Sequence, residues 1–145
     1  MPSRPAPLAL AALLLAAPAL AQPAPSARTL AEEGEDIPYA EWRAMTEGRT
    51  VWYLIEGDVW GRESYRAGSD ALVFQFPDGQ CLPATWSHRD PWFCFDFQDA
   101  LPDPLHCFRH LRWEGGIWVL GDMGAVQQVD RIDASPVACG PNVSS

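Results

Sequence analysis

Four cysteines, three histidines and a short run of carboxylates are the side chains here with chemistry to offer. Cys81, Cys94, Cys107 and Cys139 contain no Cys-x-x-Cys pair, the spacing that thiolate metal sites use. They read as disulfide partners, with three possible pairings. One joins Cys94 to Cys107 across two consecutive strands and Cys81 to Cys139 across a longer loop. The main rival joins Cys81 to Cys94 and Cys107 to Cys139. His106 and His110 share a face if they lie on a strand, but sit roughly 13 Å apart there, too far to chelate one ion. They read as surface or half-buried histidines, and His88, beside Arg89 and Asp90, as a solvated turn residue. Glu56, Asp58 and Glu63 gather around a hairpin and could pair as the two carboxylates of a glycosidase do. No spacing fixes their separation, so they read as a solvated acidic hairpin. Glu63 or Asp96 would serve a reaction only in a concave pocket with a second carboxylate or a histidine. The serines lack the Gly-x-Ser-x-Gly context of an activated nucleophile. Glu56-Gly57-Asp58 falls short of a calcium loop. No catalytic residue, metal ligand or cofactor is assigned on these grounds.

These side chains must be positioned by strands. Thr50–Ile55, Val59–Tyr65, Ala71–Phe76, Cys81–Trp86, Trp92–Phe97, His106–Trp113, Ile117–Leu120 and Ala125–Ile132 are rich in β-branched and aromatic residues. Turn signals such as Glu56-Gly57-Asp58, Pro77-Asp78-Gly79 and Glu114-Gly115-Gly116 separate them. Phe93, Phe95 and Phe97 alternate with Trp92, Cys94 and Asp96, so the phenylalanine face is the one to bury. Gly61 marks a bulge or a close approach, and Pro83 an edge or a bulge. One short helix is expected over 37–48, capped by Asp36 and stopped by Gly48, with Trp42 and Met45 on one face. The class is mainly β: a small antiparallel meander of about eight strands closing into a barrel (calycin/lipocalin-like) or a sandwich, with one short N-terminal helix.

Residues 1–21 have the order of an export signal: Arg4, the apolar run Leu8–Ala17, then Pro18-Ala19-Leu20-Ala21 with small residues at the cleavage positions. The run is roughly half of what spans a bilayer, so a stable membrane anchor is not expected. Cleavage after Ala21 would place the protein in the periplasm or outside the cell, where disulfides persist. Residues 22–36 are polar enough to read as a flexible leader, and 37–145 as a single disulfide-bearing domain. The chain of 145 residues carries a formal net charge of −9, and all its basic residues are arginine. Such a surface disfavours nucleic acid and anionic lipid.

The ordered set Gly48-Arg49-Thr50, Gly61-Arg62-Glu63-Ser64-Tyr65, Asp78-Gly79-Gln80-Cys81, Phe93-Cys94-Phe95, His106-Cys107-Phe108 and Cys139-Gly140-Pro141 resembles a family of small exported bacterial proteins classed as a domain of unknown function. The resemblance spans about residues 40–141 and departs at Pro83-Ala84-Thr85-Trp86, where the family has Gly-x-Trp. It implies a disulfide-bearing β domain and carries no activity with it.

The residues favour a monomeric binding module over an enzyme. Seven tryptophans are many for this length. Trp52, Trp60, Tyr65, Trp86 and Trp118 are the candidate binding surface, with carboxylates steering a basic protein partner, as in an inhibitor-like protein binder. A carrier of a small apolar ligand and a structural envelope protein are the alternatives. An open aromatic cavity would favour the carrier, and a filled barrel with an exposed aromatic patch the protein binder.

Overall fold

The computed structural model describes residues 23–98 and 101–139. The export segment read at 1–21 lies outside them. Eight antiparallel strands form a closed barrel: β2 (Thr50–Ile55), β3 (Asp58–Tyr65), β4 (Ala71–Gln75), β5 (Cys81–Arg89), β6 (Trp92–Asp96), β7 (Leu105–Trp113), β8 (Gly116–Gly121) and β9 (Val126–Asp133). Each pairs with the next, and β9 returns to β2, so no barrel strand is left as a full edge. Closure decides between the barrel and the sandwich that the strand count alone leaves open. The turns alternate between ends. Those after β2, β4, β6 and β8 lie at one end, and those after β3, β5 and β7 at the other.

The second end is closed by α2 (Tyr39–Thr46), which drives Trp42 into the barrel. Trp42 is fully buried against Tyr65, Phe93 and His110, with ring centroids 6.4, 6.2 and 4.1 Å away. Met45, on the same helix face, packs on the core beside it. Asp36 does not cap this helix; Pro38 holds the cap position without a side-chain bond. Asp36 instead makes a bidentate pair with Arg109, at 2.8 and 2.6 Å. Arg112 pairs with Glu41, and Arg43 with Asp70 at 2.8 Å. The last two pairs tie the lid to the barrel rim, and the first holds the chain just before it to β7.

A leader without structure is not what 27–36 forms. Ala27–Glu33 is a helix, α1, whose first turn is capped by Ser26 Oγ accepting from the Thr29 amide at 3.0 Å. Glu35–Asp36 is a short strand, β1, paired with β7. The cause is one side chain: Leu30 is fully buried with Leu111, Trp118 and Leu120, forming a second apolar cluster on the outer face of β7 and β8. The main core lies in the barrel interior, where Phe93, Phe95 and Phe97 turn inward.

Cys94 and Cys107 face each other in the register of β6 and β7 and are bonded, with Cα atoms 4.0 Å apart. Cys81 is bonded to Cys139 and fastens the C-terminal segment to β5. Gln75 and Thr50 hold the same segment, the first donating to the Ala138 carbonyl at 2.7 Å and the second to that of Ser135 at 2.6 Å. Pro83 lies where β5 runs beyond the last residue paired with β6, so its missing N–H costs no ladder bond on that side. Among the described residues no helix is long and apolar enough to cross a membrane.

Candidate functional site

Inside the barrel the strands leave a cavity of about 200 Å³. Its walls are largely Phe74, Phe76, Phe95, Phe97 and Phe108, with Val119 between them. Trp60 stands at the mouth, 42% exposed, with its ring edge-on to Phe76 at 5.9 Å. The mouth lies opposite the α2 lid.

The polar floor is built by β2, β3 and β7. Alternation along β3 turns Gly61, Glu63 and Tyr65 inward, while Arg62 and Ser64 point out. Gly61 is required by the wall: a Cβ there would lie 2.2 Å from Phe74 Cζ and 2.9 Å from the Gln75 carbonyl oxygen. Glu63 is 7% exposed. Its Oε2 accepts the hydroxyl of Tyr53 at 2.7 Å and that of Tyr65 at 2.8 Å. The reading of Glu63 as part of a solvated hairpin therefore fails, although Glu56 and Asp58 are exposed in that turn. His110 lines the same floor, 1% exposed, with Nδ1 unpartnered among the described residues. His106 lies nearer the mouth on the same face of β7. Among the described residues no group of His, Cys, Asp and Glu could hold a metal ion. His88 is not in a turn: it is half-buried on β5, its ring 5.2 Å from Tyr39 and 4.6 Å from Phe93.

Burial sets the protonation of the floor. It pushes the Glu63 carboxyl up to about 7, against the pull of the two tyrosine hydroxyls. It raises Tyr53 and Tyr65 well above the usual phenol range, and the Glu63 charge adds to this. It holds His110 down to about 3, with His88 a lesser cause. At neutral pH the tyrosines and His110 are uncharged and Glu63 is near its midpoint. Its hydrogen bonds both come from tyrosines, and among the described residues no cation reaches it.

Of the five aromatic candidates, the structure brings two to the cavity: Trp60 at the mouth and Tyr65 in the floor. Trp86 is buried near the lid, stacked on Phe93 at 6.1 Å. Trp52 lies on the outer face between Arg62 and Arg131, whose guanidinium carbons are 4.7 and 3.9 Å from its ring centre. Trp118 is buried beneath α1. They do not form one surface. Sequence reasoning did not name Tyr53 as a candidate, and it read Glu63 as solvated and His110 as surface or half-buried where both are buried. The available signal was the Gly61-x-Glu63-x-Tyr65 alternation, which commits the carboxylate to the face of the tyrosine.

Glu63 does share a concave pocket with a histidine, one condition for catalysis. Among the described residues it has no second carboxylate there, and both phenol hydroxyls already donate to it. The arrangement suits holding an apolar molecule that ends in one polar group. A second, external groove of about 700 Å³ runs between Val137–Cys139 and the outer face of β4 and β5. Arg66 is its only ionisable lining group among the described residues. Comparisons with protein-family models, curated proteins and solved structures find no match for this chain.

Proposed function

We propose that the protein is a binding module that carries a small, mainly apolar molecule inside its barrel. The observation that carries this reading is the phenylalanine-walled cavity of about 200 Å³ ending on a hydrogen-bonding floor. An apolar cavity of about 150 Å³ holds benzene, whereas drug-sized ligands use roughly 300 Å³ or more. The occupant is therefore a single ring or a short chain with one polar end. Val59, Trp60, Leu105 and Met123, the apolar side chains exposed at the mouth end, give it an apolar approach. The export signal would put this carriage in the periplasm or outside the cell, in keeping with the two disulfides.

The test is titration of the oxidised protein with 2-phenylethanol, followed by Trp60 fluorescence and by native mass spectrometry. Saturable one-to-one binding is expected, and Val119→Phe, which fills the cavity, should abolish it. Binding that survives Val119→Phe in a folded protein would place the ligand elsewhere and sink the reading. The exposed apolar side chains amid acidic turns also favour a second reading, a basic protein docked on the mouth end. Recovery of one partner, lost at high salt and unaffected by Val119→Phe, would support that instead.

A further inference from the structure

Resting on the carrier reading, the donor and acceptor count of the floor narrows the occupant's polar end. The hydroxyls of Tyr53 and Tyr65 are both directed at Glu63 Oε2. Glu63 keeps its second carboxylate oxygen as a free acceptor, and the neutral His110 ring beside it offers one N–H and one acceptor nitrogen, with Nδ1 unpartnered among the described residues. A buried carboxylate with no cation beside it is costly unless something else supplies one. Arg62, its neighbour in sequence, points outward to Gln75 and Trp52. The approach has the same bias. The turns at the mouth carry Glu56, Asp58, Asp78, Asp103 and Asp122, all exposed, and no arginine. The arginines among the described residues sit on strands, on the helices or at the lid end. The aromatic walls offer ring faces to a cation as well.

We infer that the cavity selects a small protonated amine with a single-ring or short-chain body, its ammonium group seated on Glu63 beside His110 and its apolar part among the phenylalanines. An ammonium carries three donors and no acceptor, the complement of this floor. An anion would meet the like charge of the Glu63 carboxylate, and a neutral alcohol would leave that charge unpaired. The acidic mouth would speed capture and make it dependent on salt.

The experiment is calorimetric titration of the oxidised full chain at about pH 8 with three probes of one shape: 2-phenylethylammonium, 2-phenylethanol and 3-phenylpropanoate. The ammonium should bind at least about tenfold tighter than the alcohol, and the carboxylate should not bind measurably; tenfold corresponds to about 1.4 kcal/mol. Glu63→Gln, with its folding checked by thermal unfolding, should bring ammonium and alcohol to within about threefold of each other. Lowering the pH to about 5.5 should weaken the ammonium and leave the alcohol alone. The other titratable groups near Glu63 are Tyr53 on β2, Tyr65 on β3, and His110 and His106 on β7; the first three stay uncharged across this range. His106→Gln removes the fourth from the comparison. Alcohol binding as tight as ammonium, in wild type, overturns the charge selection and leaves the carrier reading standing. Failure of all three probes overturns both. The wild-type comparison needs no variant to fold.

Discussion

Glu63 shows how one residue can make a pocket selective and a fold pH-sensitive at once. Its carboxyl titrates near 7 when folded and near 4.5 when solvated. Between those values the folded state holds the proton more tightly than the unfolded state. The stability it confers is thus full below about 4.5 and is lost as pH rises through about 7, by roughly 3 kcal/mol. His110 has the opposite sign. Held near 3 against an ordinary 6.5, its contribution is full above about 6.5 and is lost as pH falls toward 3. The two slopes oppose each other between about 4.5 and 6.5 in wild type, so the variant is the informative measurement. Glu63→Gln should gain on wild type by roughly 3 kcal/mol as pH is raised from about 4.5 to about 7.5, read from urea midpoints. A difference that stays flat with pH would mean that Glu63 is not buried as described.

At the scale of elements, two helices with different tasks flank a uniform set of strands. The strands were legible because alternation is a local signal: Phe93, Phe95 and Phe97 bury as a set, and Asp96 turns away. The α2 helix was legible from Trp42 and Met45. Its start was not, because Asp36 is drawn to Arg109, a residue distant in sequence, and so is unavailable as a cap. The α1 helix was not legible at all. Ala27–Glu33 has one large apolar residue, and its worth depends on the cluster around Trp118 that tertiary folding assembles. Leu30→Ala should therefore cost about 2–4 kcal/mol, measured by chemical denaturation. A loose leader would show no change.

For the whole molecule, closure and cross-links do separate work. Pairing β9 to β2 and β7 to β8 removes open edges and creates an interior. The disulfides then limit the unfolded chain. Cys81–Cys139 spans 58 residues and Cys94–Cys107 spans 13. On loop entropy, removing the first by paired Cys→Ser changes should cost about 4 kcal/mol and the second about 3. The first pair also fastens the segment that Gln75 and Thr50 hold, which widens the gap. The reverse ranking in denaturant midpoints would show that the cross-strand bond, not the tail staple, limits unfolding.

From the sequence alone came the strand set, the antiparallel meander, the lid helix and the likeness of Cys94 and Cys107 as neighbours across a loop. All are short-range properties, written in alternation, turn residues and spacing. The tertiary structure decided whether the meander closes, which tryptophans remain exposed, that Leu30 anchors a helix, and that Glu63 faces inward with Tyr53, Tyr65 and His110. These are brought together by strands far apart in sequence. The physical reason is that a carboxylate in a hairpin and one in a barrel floor have the same local spelling. Only the packing of the other strands determines whether water or an aromatic wall surrounds it.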